Sequence, residues 1–182
     1  MIEFEMKFET THDKIRHKLE EMHATFIRND YNYDQYYNHP MRDFTLTDEA
    51  LRIRQTSSET CITYKGPKLG KRTKTREELE IEVESEEMGK ILEKLGFTPA
   101  GVVNKKRETW KLNDFTITLD EVEELGDYVE IEIMGPESAD REEVIDQLDE
   151  FVRKLGLNPK QEIRTSYLNL LEQMRRLQTS NL

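Results

Sequence analysis

Residues 2–8 read IEFEMKF, and they alternate without a slip: Ile2, Phe4, Met6 and Phe8 on one parity, Glu3, Glu5 and Lys7 on the other. A period of two predicts a β-strand with one apolar face. The opposite face then carries two carboxylates and an amine in a row, which is either an ordinary wet surface or a site.

The pattern returns along the chain. At 51–56 Leu51 and Ile53 alternate with Arg52 and Arg54; at 61–66 Thr63 and Lys65 share a parity; at 74–84 Leu79, Ile81 and Val83 alternate with Arg76, Glu78, Glu80 and Glu82. Lys105, Arg107 and Thr109 line up within 102–112, and Asp120 shares a face with Thr116 and Thr118 within 114–123. Val129, Ile131 and Ile133 alternate with Glu130 and Glu132 within 126–134, and YNYDQYY (31–37) completes the strands.

Between them the period becomes helical. A helix is predicted over 12–24, with Ile15, Leu19 and Met22 on one face and Thr10 or Thr11 as cap. A second covers SEEMGKILEKLGF, capped by Ser85, with Glu86 and Glu87 at its positive end and Gly96 past its last turn. A third runs from about Ser138 to Leu155, ended by Gly156, and a fourth from about Thr165 to Leu177, with 178–182 as a frayed tail. The segment 38–49 reads as loop, and Asn113-Asp114 as a hairpin turn. This makes a single α+β domain over 1–177, dominated by antiparallel sheet.

Two readings of the charged faces stand on the residues alone. An open sheet would turn them to water. Eight strands are also enough to close into a barrel, which would turn them inward; buried charges survive there only when paired, hydrated or bound to ligand and metal. In such a lumen Glu3, Glu5, Glu130 and Glu132 are hard oxygen donors suited to Mg²⁺ or Mn²⁺. Lys7, Arg52, Arg54, Lys65, Lys105 and Arg107 match phosphate oxygens. Metal on one wall and bases on the other would hold a polyphosphate.

Composition narrows the partners. With 38 acidic against 27 basic residues the net charge is -11, so the global field repels nucleic acid and anionic lipid. The single cysteine, Cys61, excludes an internal disulfide and a cysteine-rich zinc site and reads as a small buried hydrophobe. No apolar run approaches the roughly 18 residues that span a bilayer, and the N-terminus has no signal-peptide core, so the expected compartment is the cytoplasm. The basic stretch KGPKLGKRTKTR (65–76) is expected to be a lip that draws in polyanions. Its Gly66, Gly70 and Lys71 do not make a phosphate loop, because the spacing is short and Arg72 stands where Ser or Thr is needed. His12, His17, His23 and His39 form no set, Trp110 reads as packing, and the apolar face of the last helix offers core contacts or a homodimer contact.

These residues together resemble the CYTH superfamily, the triphosphate tunnel enzymes. The resemblance begins at Glu3-x-Glu5-x-Lys7 and continues in order through DQYY (34–37), LRIR (51–54), TYKGP (63–67), REELE (76–80), KKR (105–107), TLD (118–120), GDYVEIEI (126–133) and RTSY (164–167). It implies an eight-stranded antiparallel β-barrel with helices packed outside, enclosing a triphosphate-containing small molecule and Mg²⁺ or Mn²⁺. By the same resemblance Glu3, Glu5, Glu130 and Glu132 are metal ligands, and Glu80 and Asp120 are catalytic groups close to the metal or its waters. Lys7, Arg52, Arg54, Lys65, Arg76, Lys105 and Arg107 bind phosphate, Arg164 precedes a helix that closes one end, and Tyr36 packs.

Within the family hydrolases aim water at the terminal phosphorus, whereas class IV adenylyl cyclases aim the ribose 3′-hydroxyl at the α-phosphorus and release pyrophosphate. Glu130-x-Glu132 resembles the second carboxylate pair of the phosphohydrolases, so hydrolysis of inorganic, nucleoside or thiamine triphosphate is the leading expectation. TYKGP and RTSYLNLL resemble the CyaB cyclases and keep cyclic AMP formation as the alternative, with a non-catalytic polyphosphate binder third.

Overall fold

The alternation of the first strand decides how the chain closes on itself. The computed structural model describes residues 2–69, 74–83 and 87–180. Its strands are β1 (Ile2–Glu9), β2 (Thr25–Asn38), β3 (Ala50–Gln55), β4 (Thr60–Lys65), β5 (Lys74–Glu82), β6 (Thr98–Leu112), β7 (Phe115–Val122) and β8 (Gly126–Gly135). They form one closed barrel in the order β1-β5-β4-β3-β2-β6-β7-β8, and every neighbouring pair is antiparallel. The helices are α1 (His12–Glu21), α2 (Phe44–Thr47), α3 (Met88–Lys94), α4 (Arg141–Lys154) and α5 (Tyr167–Ser180), with a 3₁₀ turn at Pro159–Gln161. No helix among the described residues is long and apolar enough to cross a membrane.

β1 sets the inside and the outside. Phe4, Met6 and Phe8 pack outward with Ile117, Leu119, Val129 and Ile131 against Ile15 and Leu19 of α1 and Ile145, Leu148, Phe151 and Val152 of α4. Phe115 and Phe151 stack at 4.1 Å. Asp140 caps α4 by accepting from the backbone N–H groups of Glu142 and Glu143, which is why that helix begins at Arg141 rather than near Ser138. α3 covers part of the outer face of β3, where Tyr37, Phe44, Leu51, Ile53 and Leu92 are buried together. α5 closes one end of the lumen: Tyr167 and Leu171 pack on Val103, Val122 and Tyr128. Gly101 sits at φ 154°, a backbone conformation that L side chains rarely adopt, and a Cβ there would also meet Leu168 Cδ1 at 2.6 Å, so that the leucine would have to move.

Several expectations change. β2 is much longer than 31–37, because β6 pairs with it from Thr25 to Asn38 across two register shifts. The segment read as loop contains α2, capped by Asp43. Leu79 and Ile81, 54% and 63% exposed, do not face a core, because no helix among the described residues covers the outer side of β5. Cys61 is only half-buried, since it lies opposite Arg54 and Glu82 on the inward parity. The tail is helical as far as Ser180, where Thr179 and Ser180 donate back to the carbonyl of Arg176. Gly96 does follow α3 at φ 92°, whereas the Ser85 and Glu86 cap and the Gly70, Lys71 and Arg72 part of the basic lip lie outside the described residues.

The outer core is what fixes the inward parity. Leu148→Ala, at a fully buried site against β1 and β8, should lower the unfolding free energy by about 2–5 kcal/mol, read from the midpoint of urea denaturation.

Candidate active site

The inward parity of the strands surrounds a cavity of about 880 Å³. Glu3, Glu5, Lys7, Arg52, Arg54, Lys65, Arg76, Glu80, Lys105, Arg107, Glu130, Glu132 and Arg164 all line it. Asp120, fully buried, lies in the wall beneath Lys105 and Arg107. The sequence-derived set is therefore brought together in one lumen. The register explains this: Glu5 lies opposite Lys74 on one side and Glu132 on the other, while Lys7 lies opposite Glu130.

Charges taken out of water must be matched, and the lumen does so in three groups. On the β2–β3 wall Asp34 accepts from Arg54 Nε and Nη2 at 2.7 Å each, a bidentate pair, and from Arg52 Nη1 at 3.5 Å. Burial opposes ionisation of Asp34, but Arg52 and Arg54 outweigh it and hold its carboxyl well below the usual range. Arg52 also lies 3.8 Å from Glu80, which accepts from Thr63 Oγ1 at 2.6 Å.

On the β1–β5–β4 wall Lys65 Nζ donates to both oxygens of Glu3 at 2.7 and 2.8 Å and lies 3.1 Å from Glu78. Lys74 Nζ donates to Glu5 Oε1 at 2.5 Å. Arg76 Nε, 3.8 Å from Glu3, is buried without a hydrogen-bond partner among the described residues.

At the end closed by α5, Asp120 accepts from Lys105 at 2.9 Å, from Arg107 at 2.6 and 2.5 Å and from the Tyr167 hydroxyl at 3.0 Å. Arg107 also reaches Glu130 at 2.5 Å. Burial works against the charged form of both carboxylates, but the bases around them, Arg107 and Lys105 foremost, keep their pKa values below normal. Lys7 donates to the carbonyl of Thr165 at 2.6 Å and sits 4.0 Å above the Tyr167 ring, with Lys105 at 4.9 Å from the same ring. Burial lowers the pKa of both lysines, helped by Lys74 at Lys7 and by Arg107 at Lys105, whose value falls to about 8.

Glu132 differs from the rest. It makes no ion pair among the described residues, and burial, with Glu3 nearby, pushes its pKa up to about 7. The donor set Glu3, Glu5, Glu130 and Glu132 is all oxygen and all carboxylate, and Glu5 and Glu132 are cross-strand partners, so its chemistry fits a hard divalent cation. In the side-chain positions seen here Glu3, Glu5 and Glu130 are turned to bases, and no group of three or more His, Cys, Asp or Glu among the described residues is gathered as a cation site.

Sequence reasoning missed Asp34, Lys74, Glu78 and Tyr167. Asp34, Glu78 and Tyr167 lay within strings already singled out, DQYY, REELE and RTSY; the closed register turns Asp34 and Glu78 inward, and the start of α5 brings Tyr167 to Asp120. Asp120 was expected near a metal; here its oxygens are taken by Lys105, Arg107 and Tyr167, and it holds those groups in place.

The CYTH domain family matches residues 1–167. A provisionally named adenylate cyclase of Methanocaldococcus jannaschii is 38% identical over 172 residues, 93% of this chain and 98% of the relative. Adenylate cyclase CyaB of Aeromonas hydrophila is 28% identical over 77% of this chain and 72% of its own length. A protein of solved structure from Pyrococcus horikoshii OT3 is 40% identical, covers 94% of this chain and 99% of its own, and superposes with a TM-score of 0.85.

The Asp34 clamp yields a stability test. Asp34 is 1% exposed, so Asp34→Ala leaves Arg54 and Arg52 without their shared anion and should cost about 3–5 kcal/mol in urea denaturation.

Proposed function

This chain belongs to the CYTH family, and on that premise we propose that it is a divalent-metal-dependent enzyme that holds a triphosphate in its barrel lumen and hydrolyses it. The observation that carries the reading is the enclosed lumen itself, where lysines and arginines from β1, β3, β4, β5 and β6 converge on one cavity with a carboxylate wall on β1 and β8.

In this reading Arg52, Arg54, Lys65 and Arg76 hold the polyphosphate along one side, and Lys7, Lys105 and Arg107 take the end nearest α5. Their contribution is electrostatic: donors fixed in advance meet the charge that develops on non-bridging and leaving oxygens. Asp34 and Asp120 keep these bases pointed inward, and Thr63 fixes Glu80 beside Arg52. Glu3, Glu5, Glu130 and Glu132 would hold Mg²⁺ or Mn²⁺, which supplies Lewis-acid polarisation of the phosphoryl oxygens. Glu132, which makes no ion pair among the described residues, is the second carboxylate of Glu130-x-Glu132, and a further carboxylate beside the cation favours an activated water and so hydrolysis over cyclisation.

The relatives' names and the cavity's lining support a second reading, cyclisation of ATP: besides the charged groups, Tyr36, Phe44 and Asn169 line the cavity, uncharged side chains that an organic group could meet.

Incubating the protein with ATP or tripolyphosphate plus Mg²⁺ or Mn²⁺, and resolving the products, separates these readings. Orthophosphate release is the expected result; cyclic AMP with pyrophosphate would establish the second reading, and tight binding without turnover would leave a binder. Glu5→Gln should abolish turnover with the fold intact by circular dichroism. Arg54→Ala should weaken tripolyphosphate binding by roughly 1.5–3 kcal/mol for each charged hydrogen bond lost, measured by calorimetry.

A further inference from the structure

Two carboxylates assigned above to metal are bonded to bases of the same cavity, Lys65, assigned to phosphate, and Lys74, which lines the cavity beside it. Lys65 holds both oxygens of Glu3, and Lys74 holds Glu5. Glu3, Glu5 and Lys74 are each at most 5% exposed, so none of them has bulk water as a substitute partner. These pairs cross from carboxylates of β1 to lysines of β4 and β5, whereas the Asp34–Arg54 pair on the opposite wall involves no expected metal ligand.

We propose that Lys65–Glu3 and Lys74–Glu5 form an exchange latch, ion pairs that open together and so couple the binding of a divalent cation to that of a triphosphate in this lumen. The proposal rests on the tunnel reading of the preceding section. A cation that takes Glu3 and Glu5 alone must expel Lys65 and Lys74, leaving Lys65 with Glu78 in place of two anions and Lys74, among the described residues, with no ion pair. A triphosphate that takes the two lysines alone leaves Glu3 with Arg76 at 3.8 Å and strips Glu5 of its pair. Both outcomes carry the penalty of breaking a buried ion pair by removing one partner. When both ligands arrive, the carboxylates go to the cation, the ammoniums to phosphate, and no buried charge is left over. The coupling is reciprocal, since each ligand raises the other's affinity by the same factor.

The latch makes a prediction opposite in sign to simple loss of a contact. Binding of Mn²⁺ alone, followed by electron paramagnetic resonance, should be tighter in Lys74→Met and Lys65→Met than in the unaltered protein, by about tenfold or more. Binding of tripolyphosphate alone, measured by calorimetry in EDTA, should be tighter in Glu5→Gln by a similar factor, although that substitution removes a metal ligand. Arg54→Met, which removes a lumen charge paired only to the opposite wall, should move Mn²⁺ affinity less.

Unchanged or weaker Mn²⁺ binding in both folded lysine variants would overturn the latch, as would an equal rise in Arg54→Met, which would show only a general field. Circular dichroism checks the fold; where a lysine variant does not fold, the Glu5→Gln arm decides, and unchanged or weaker tripolyphosphate binding there overturns the latch. If the unaltered protein binds neither probe, alone or together, the tunnel reading itself fails and takes the latch with it.

Discussion

A closed barrel cannot hand its inward charges to bulk water, and that constraint organises the molecule. Every lysine or arginine turned inward needs an anion, and every carboxylate a cation, because desolvation of an unmatched ion exceeds what ordinary packing returns. The β1–β5, β1–β8 and β2–β3 registers supply the matches by setting Glu5 between Lys74 and Glu132, and Asp34 beside Arg54. The register serves the outer core equally: shifting β1 by one residue would turn Phe4 and Met6 into the lumen and Glu3 and Glu5 against α4. Packing outside and pairing inside therefore select the same arrangement.

α5 completes that arrangement at one end. Its first residue, Tyr167, offers a hydroxyl to Asp120 and a ring face to Lys7 and Lys105, while Thr165 just before it gives Lys7 a carbonyl oxygen. The helix thus contributes polar and cation–π partners to buried lysines that would otherwise lack them. Its apolar side, through Leu171 and Leu168, closes the end over Val103 and Gly101.

Period two made most of this legible. The charged parity of β1, β3, β6 and β8 could be read from residues such as Ile53 against Arg54 and Ile131 against Glu130, and the helical period located α1 and α4, while the inward turn of that parity came from the closed barrel. Asp34 was hidden because its strand carries tyrosines on both parities, Tyr31 and Tyr33 against Tyr36, so alternation assigned no inside. Lys74 was hidden because it lies within the basic run 65–76, and pairing with a strand some seventy positions away turns it inward. On β5 the same rule over-reached: Leu79 and Ile81 alternate as a buried strand would, but alternation reports which side of a sheet a residue occupies, not whether anything covers that side.

The pairing also locates the net charge of the protein. Since the lumen's bases and carboxylates largely cancel within the three groups, most of the -11 belongs to the exterior. A free polyanion approaching the barrel therefore meets a repulsive field, screened beyond about 8 Å at physiological ionic strength. A polyanion already carrying a divalent cation meets much less of it. On the proposed function, the exterior field and the paired interior would act in the same direction, both favouring a triphosphate whose charge has been partly neutralised before it enters.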